Sequence, residues 1–379
     1  ADVVACARYF EFYGEAADKL GSETIPFQNG YTVLTKREPH GVTAHIVPWN
    51  YPMQIAGRSV AAALATGNAC VVKPAEDASL TTLYLGRLAI EAGFPAGVVN
   101  VVTGYGKEAG AALATHVDID HISFTGSNAT GSFIQEAAAR RTIPVTLELG
   151  GKSPQIVLSD ADLDRAAPFL VRAIIQNSGQ TCSAGSRIIV EDAIYDEVVR
   201  RISAGFQALR IGPASADLDL GPLINLKQRT LVETKVQEAI TDGVKVLART
   251  SLPNDLPAGG YYSAPIVFGE VPVDHPIAQQ EVFGPVLSVI RVRDMDEALA
   301  AANATQYGLV AGVWTGDGSK ALRLANGLHA GQVFVNDYGA AGGVELPFGG
   351  VKRSGHGREK GLEAMKGLTT VKTIAIRHG

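Results

Sequence analysis

The chain has 379 residues, 46% of them hydrophobic and 19% charged, which is long enough for two lobes with sizeable cores. Its 33 basic against 38 acidic residues leave a net charge of −5, no electrostatic footprint for nucleic acid or an anionic membrane, and no apolar run reaches the length of a membrane span. Three cysteines, Cys6, Cys70 and Cys182, cannot form a disulfide framework, so small-molecule chemistry in the cytoplasm is expected.

In chain order, the opening residues read as a helix, lack the layout of a secretory signal and begin without methionine, as the remainder of a longer polypeptide would. Thr24 to Glu38, with Gln28-Asn29-Gly30 between two β-prone arms, reads as a hairpin. Between residues 40 and 150, β-branched runs alternate with Ala-rich helical stretches. Strands are expected at Val42 to Val47, Ala69 to Val72, Val98 to Val102, His121 to Phe124 and Val145 to Leu149, and helices at 53–66, 79–92, 107–116 and 128–139. That rhythm predicts a mostly parallel sheet with helices on both faces. A second alternating set starts at Gln155 to Leu158, passes through helices at 162–176, 193–209 and 226–241, and ends near Val333 to Val335. The β-prone tail Thr369 to Ile376 suits pairing with the hairpin or with another subunit.

Two short runs carry reactive groups. Cys182 stands in Gln180-Thr181-Cys182-Ser183-Ala184-Gly185, a polar setting of small residues, whereas Cys70 in Ala69-Cys70-Val71-Val72 has the aliphatic neighbours of a core thiol. Glu148 stands in Leu147-Glu148-Leu149-Gly150-Gly151-Lys152. A thiol and a carboxylate suffice to attack a carbonyl carbon and then activate the water that releases the product. Three further features sit at strand ends, where an open α/β sheet binds ligands. Phe124-Thr125-Gly126-Ser127 opens a helix and could face a pyrophosphate, although such a turn taken alone is far more often a plain helix cap. Gly104-Tyr105-Gly106 with Gly110 forms a second glycine turn. Lys73 and Glu76 suit the ribose hydroxyls of an adenosine, or else form a solvated surface pair. An acidic residue at such a ribose position favours NAD over NADP.

Together with Pro48-Trp49-Asn50-Tyr51-Pro52, Glu281-Val282-Phe283-Gly284-Pro285 and Pro347-Phe348-Gly349-Gly350, these motifs resemble the aldehyde dehydrogenase superfamily, in its non-acylating, NAD(P)-dependent branch, over essentially the whole chain. The resemblance implies an α/β fold: a Rossmann-like cofactor lobe, an α/β catalytic lobe and a small β oligomerisation arm, usually giving homodimers or homotetramers. It assigns 1–20 and 41–151 to the cofactor domain, 21–40 and 369–379 to the arm, 152–352 to the catalytic domain and 353–368 to a return into the cofactor domain. Residues 1–20 represent only part of what the family carries before the hairpin.

Carried over by position, Cys182 is the implied nucleophile, Glu148 the general base and Asn50 an oxyanion donor, with no metal required. The cofactor residues implied are Ile46, Trp49, Lys73, Glu76, Gly106, Gly110, Gly126, Ser127, Leu149, Gln228, Glu281 and Phe283. Glu359 matches an acidic position discussed as a proton relay, yet many relatives carry a lysine where this chain has Ser59, so a path through that lysine cannot operate unaltered.

For the substrate, Tyr51, Met53, Thr181 and Tyr338 imply a medium-sized mixed pocket for a small aldehyde. Arg58 matches the arginine with which succinic semialdehyde dehydrogenases bind a distal carboxylate, and guanidinium suits that bidentate contact. Pairing with a protein carboxylate is the alternative. Two other readings of the chain are a CoA-acylating semialdehyde dehydrogenase, which Glu148 argues against, and a non-catalytic truncated member of the fold.

Overall fold

The computed structural model describes residues 2–378; Ala1 and Gly379, the outer ends of the expected cofactor domain and arm, lie outside the described residues. The described residues form two compact units. The first runs to Leu149 and adds Gly342–Gly349 and the segment from Gly355 onward; the second is Gly150–Ala341 with Gly350–Ser354.

The first unit is built on a six-stranded sheet, ordered Gly355–His356, Val145–Glu148, His121–Thr125, Val42–Val47, Ala69–Pro74 and Val99–Val101. All neighbours are parallel except the first pair. The chain moves outward from Val42–Val47 to Val99–Val101, then returns to the other side of its starting strand. Strand order therefore reverses between Val42–Val47 and His121–Thr125, and crevices at such a reversal are where α/β sheets bind ligands. Asn50 follows the first of these strands and Gly126-Ser127 the second.

Helix Pro52–Ala65 begins with Pro at its first turn, where a missing N–H costs nothing, and most of it is buried. Tyr51 supplies no side-chain cap. Asp2 does so instead: its carboxylate accepts from the backbone N–H of Met53 and of Gln54 at 3.0 Å each, an anion at the positive helix end. Helix Asp2–Ala16 packs closely because Gly57 carries no side chain, and a Cβ there would meet the Cys6 Sγ at 2.7 Å.

Two histidines are sealed into this sheet. His45 bonds the Thr43 hydroxyl at 2.8 Å and His121 the Thr146 hydroxyl at 3.3 Å, while the Nδ1 atom of each has no partner among the described residues. Burial pushes both imidazoles down to about 3, with His40 and His45 adding to the effect at His121. A depressed folded-state pKa means that unfolded chains bind more protons between the ordinary histidine value and the folded one. Stability is therefore fully present above about pH 6.5 and falls as pH drops toward 3, by roughly 2 kcal/mol per histidine at pH 5. Unfolding free energies from denaturant titrations are expected to fall by that amount between pH 7.5 and 5, and to fall less in a His45→Asn variant; an unchanged slope would refute it.

The arm is a three-stranded antiparallel sheet. Thr24–Ile25 pairs with Tyr31–Pro39 across a turn that uses Gly30 at φ +83, and Thr369–Arg377 pairs along the other edge from Thr369↔Pro39 to Arg377↔Tyr31. The tail thus pairs with the hairpin of its own chain.

The second unit carries a seven-stranded sheet ordered Lys245–Arg249, Ile266–Gly269, Val286–Val292, Arg187–Glu191, Pro154–Val157, Val310–Trp314 and Gln332–Val335. Only the first pair is antiparallel. Ile156, Ile189, Ile266, Val286 and Val313 fill one face and Val157, Ile188, Val267 and Leu287 the other, as the apolar runs of a doubly covered sheet require.

Three boundaries differ from expectation: residues 150–151 and 353–354 fall in the second unit, and the largest difference runs the other way. Gly342–Gly349, assigned by sequence to the catalytic domain, belongs to the first unit. The reason is backbone pairing at a distance: Phe348 and Glu359 exchange two hydrogen bonds of 2.6 and 2.7 Å, and Gly361 N–H donates to Val344 O at 2.9 Å.

Candidate active site

Glu148 ends strand Val145–Glu148, its carbonyl accepting from Gly126 N–H at 3.0 Å and its backbone paired with Gly355. Its side chain is 2% exposed, and neither carboxylate oxygen has a hydrogen-bond partner among the described residues. An ionised carboxylate so placed is costly, and burial pushes its pKa well above the usual range. The Glu359 charge adds to that rise, while Arg58, Arg358 and Lys360 oppose it. Gly349, at φ +155, leaves room for this group, since a Cβ there would lie 2.7 Å from Glu148 Oε1 and 2.8 Å from Gly357 O.

Around the strand ends of the same unit, Lys73 Nζ meets Glu76 Oε2 at 3.2 Å, with the lysine buried and the glutamate half-exposed. Burial acts to raise the Glu76 carboxyl, but its own backbone, Lys73 and the Gly106 N–H outweigh it and hold the group below the usual range. Gly110 lies against the Lys73 stem, so Lys73, Glu76, Gly106 and Gly110 form one cluster. Ser127 caps helix Asn128–Ala139 by accepting from Thr130 N–H, which is the plain-cap alternative, and the helix N-terminus beside Gly126 still presents an anion-favouring end. Leu149 packs on Gly131, where a Cβ would meet it at 2.6 Å, so its side chain serves the core. Ile46, Trp49 and Asn50 are half-buried at the end of the strand that precedes helix Pro52–Ala65.

In the second unit, Cys182 follows helix Leu163–Ile175 across a kink in which Asn177, Ser178 and Gly179 all take positive φ. Such strain persists only where surroundings hold it. Ser178 Oγ donates to Gly221 O at 2.9 Å, Gln180 Oε1 accepts from Ile224 N–H at 2.9 Å, and Thr181 Oγ1 donates to Gln176 O at 3.2 Å. Gly179 sits so close to Gly284 that a Cβ would lie 2.2 Å from its carbonyl, and a Cβ on Gly151 would lie 2.4 Å from Cys182 O. Cys182 itself is half-buried, unlike Cys6 and Cys70, whose thiols burial pushes up to about 11 and about 12. A half-buried cysteine on a loop fixed by distant partners has the setting of a nucleophile.

Beside this loop, Gly151 N–H donates to Glu281 Oε1 at 3.2 Å. Burial pushes the Glu281 carboxyl up to about 7, against the pull of that N–H and of Lys152. Phe283 stands at φ +57, and Gln228 Nε2 donates to the carbonyls of Val282 and Phe283 at 3.2 and 2.8 Å, pinning the strained turn. Gln228 therefore shapes the Glu281–Phe283 turn through its backbone. Tyr338 O–H donates to Ser183 O at 2.7 Å, next to the thiol-bearing residue.

Three pocket assignments need correction. Met53 is buried in the apolar core with Tyr9, Tyr13 and Ala56, and Thr181 is equally buried with its hydroxyl donating to Gln176 O, so neither presents an open surface. Arg58 is 3% exposed and ion-paired with Glu359, with its guanidinium 5.0 Å over the Phe348 ring. That is the protein-carboxylate alternative, and it removes the open guanidinium that a distal carboxylate needs. Glu359, 4% exposed, is buried with it. The sequence reading missed Lys152, whose buried ammonium has no hydrogen-bond partner among the described residues and is pushed down to about 7 by burial, with Arg187 adding. It also missed Asp2 and Gly349; Gly349 stood inside a quoted motif, but no local signal linked it to Glu148.

The residues present fit a dinucleotide: a glycine turn at a helix N-terminus, a lysine and a carboxylate at neighbouring strand ends, and a reversal of strand order. Comparison with known proteins agrees. The family model described as the aldehyde dehydrogenase family matches residues 1–374. Human retinal dehydrogenase 2 is 42% identical over 378 residues, covering 99% of this chain and 72% of its own length. The crystal structure of a provisionally assigned aldehyde dehydrogenase from Burkholderia cenocepacia superimposes with a TM-score of 0.99 at 64% identity, covering 100% of this chain and 80% of that one. The NAD+ complex of a Bacillus cereus aldehyde dehydrogenase gives a TM-score of 0.95 at 40% identity, covering 100% and 76%.

Proposed function

The chain belongs to the aldehyde dehydrogenase family, oxidoreductases that act on aldehydes with NAD(P), and from that premise we propose that it oxidises an uncharged aldehyde to the carboxylic acid with NAD. Cys182 attacks the aldehyde carbon to give a thiohemiacetal, and the Asn50 side-chain amide with the Cys182 backbone N–H stabilises the oxyanion. Bound NAD would supply the acceptor for the hydride lost from the tetrahedral carbon. The resulting thioester on Cys182 is attacked by water whose proton Glu148 takes, releasing the acid and restoring the thiol. By the family resemblance, Lys73 and Glu76 would hold the adenosine ribose of NAD, Gly126 and Ser127 its pyrophosphate, and Glu281 with Phe283 its nicotinamide ribose and ring.

The single observation that carries the hydrolytic reading is Glu148: a buried carboxylate left without a hydrogen-bond partner among the described residues, in a space a Cβ on Gly349 would fill. A protein that hands its thioester to CoA has no use for such a base, so the acylating reading is not favoured. The engagement of Arg58 with Glu359 supports a neutral substrate over succinic semialdehyde. The acidic Glu76 supports NAD over NADP. Exposed Phe27, Val371 and Ile376 on the arm support assembly into a homodimer or homotetramer, and three free thiols suit the reducing cytoplasm.

A steady-state panel tests this reading. Neutral aldehydes are expected to exceed succinic semialdehyde of similar length in kcat/KM, and NAD to exceed NADP by about tenfold, roughly 1.4 kcal/mol. CoA should change neither product nor rate. A preference for the semialdehyde that Arg58→Ala abolishes, or an acyl-CoA product, would overturn it.

A further inference from the structure

Three adjacent strands of the second unit's sheet bring Gln155, Gly312 and Phe334 into register, with Gly312 in the middle. A glycine between two large side chains leaves a dip in that face of the sheet. The Tyr338 ring occupies it. A Cβ on Gly312 would lie 3.1 Å from Tyr338 Cδ2 and 3.2 Å from Gln155 Cγ, and the ring meets Phe334 edge-on with 6.0 Å between centroids. Gln155 is held in turn, its Oε1 accepting from Trp314 Nε1–H at 3.1 Å.

From that seat the Tyr338 hydroxyl reaches the loop of Cys182, donating to Ser183 O at 2.7 Å. Cys182 and Ser183 are the central residues of a tight turn, which Ala184 N–H closes onto Thr181 O at 3.0 Å. That closure orients the Thr181–Cys182 peptide and with it the Cys182 N–H. Cys182 O lies against Gly151, where no Cβ holds it off, and Gln155 packs on Gly185, where a Cβ would collide with Nε2. Behind the turn, Gly185 N–H donates to Ala173 O at 3.0 Å. Backbone bonds thus close the turn, and a seated side-chain hydroxyl fastens it at Ser183.

We propose that Tyr338 is a positioning residue for the nucleophile: seated over Gly312, its hydroxyl fixes the turn that carries both the Cys182 thiol and the Cys182 N–H. The proposal rests on the assignment of Cys182 as nucleophile. Thiol attack needs the sulfur and the oxyanion donor in a defined relation to one aldehyde carbon, and a misplacement of about 1 Å costs on the order of a hundredfold in rate. A phenol wedged between Gln155 and Phe334 is locked in its rotamer, so its hydroxyl holds that relation without further ordering. This role differs from the pocket wall that the family resemblance implied for Tyr338. A wall discriminates among aldehydes by shape, whereas loosening the nucleophile slows them all alike.

The test is the NADH burst of Tyr338→Phe, which keeps the ring in its seat and removes the hydroxyl. With saturating NAD and a series of neutral aldehydes of increasing length, the burst rate is expected to fall about tenfold for every aldehyde. The ratios between aldehydes and the burst amplitude should stay at their wild-type values. Loss of folded protein would lower the amplitude and leave the rate of the remaining sites unchanged, so the rate reports positioning. Gly312→Ala keeps the hydroxyl but presses on the ring. Its burst rate should fall in the same direction by less, and it supplies the readout if Tyr338→Phe does not fold. A wild-type burst rate in the folded variants, or a loss confined to the longer aldehydes, would overturn the proposal. A burst that survives in Cys182→Ala would instead overturn the assignment of the nucleophile, so the two failures are distinguishable.

Discussion

Cys182→Ala is expected to lower kcat/KM for aldehyde oxidation by about 10⁴-fold or more, because no other group replaces the thiolate that makes the covalent intermediate. Among the described residues, Cys6 and Cys70 are buried, with thiols whose burial-raised pKa leaves almost no thiolate at neutral pH. Cys182 is half-buried and lies outside the apolar clusters, so its truncation should cost less than about 1 kcal/mol of stability. Thermal unfolding therefore stays near wild type while NADH formation stops. Iodoacetamide should label Cys182 first, with inactivation tracking one equivalent of label. A Cys182→Ala variant with a tenth or more of wild-type activity would end the covalent mechanism.

Glu148→Gln separates the two halves of the reaction. The amide keeps the volume of the side chain but cannot take a proton from water, so steady-state turnover is expected to fall roughly 10²- to 10⁴-fold. Thiol attack and hydride loss do not use Glu148 in this scheme. The variant should therefore give a burst of one NADH per active site and then stall as a thioester, visible as an acyl mass adduct on the peptide that contains Cys182. Wild-type hydrolysis should show its midpoint above the ordinary carboxylate range, since burial and the Glu359 charge raise the base. Loss of the burst together with turnover would mean that Glu148 acts before the thioester forms.

Much of the architecture was legible because hydrophobic periodicity is local. Strand Val42–Val47 and helices Asn128–Ala139 and Leu226–Thr241 occupy the ranges that alternation, helical spacing and glycine signals indicated. The stretch 107–116 did not resolve cleanly: it is a π-turn at Gly106–Gly110 followed by helix Ala111–Thr115, a distinction apolar spacing does not register. The Cys182 motif was legible for a similar reason, since small polar neighbours distinguish it from the aliphatic surroundings of Cys70.

Arg58 marks the limit. Its match to a carboxylate-binding arginine was visible, but the choice between a substrate carboxylate and a protein one depended on Glu359, some three hundred positions away. Asp2 as the cap of helix Pro52–Ala65, Gly349 as the space beside Glu148, and Gln228 as the pin of the Glu281–Phe283 turn are of the same kind. Residue types and their near-neighbour spacing carried the fold class, the strand and helix rhythm and the family, and singled out one thiol and one carboxylate for the proposed chemistry. Which buried charge meets which counter-charge came from the folded chain alone, because ion pairs and close backbone approaches act over a few ångströms in space and leave no periodic trace along the sequence.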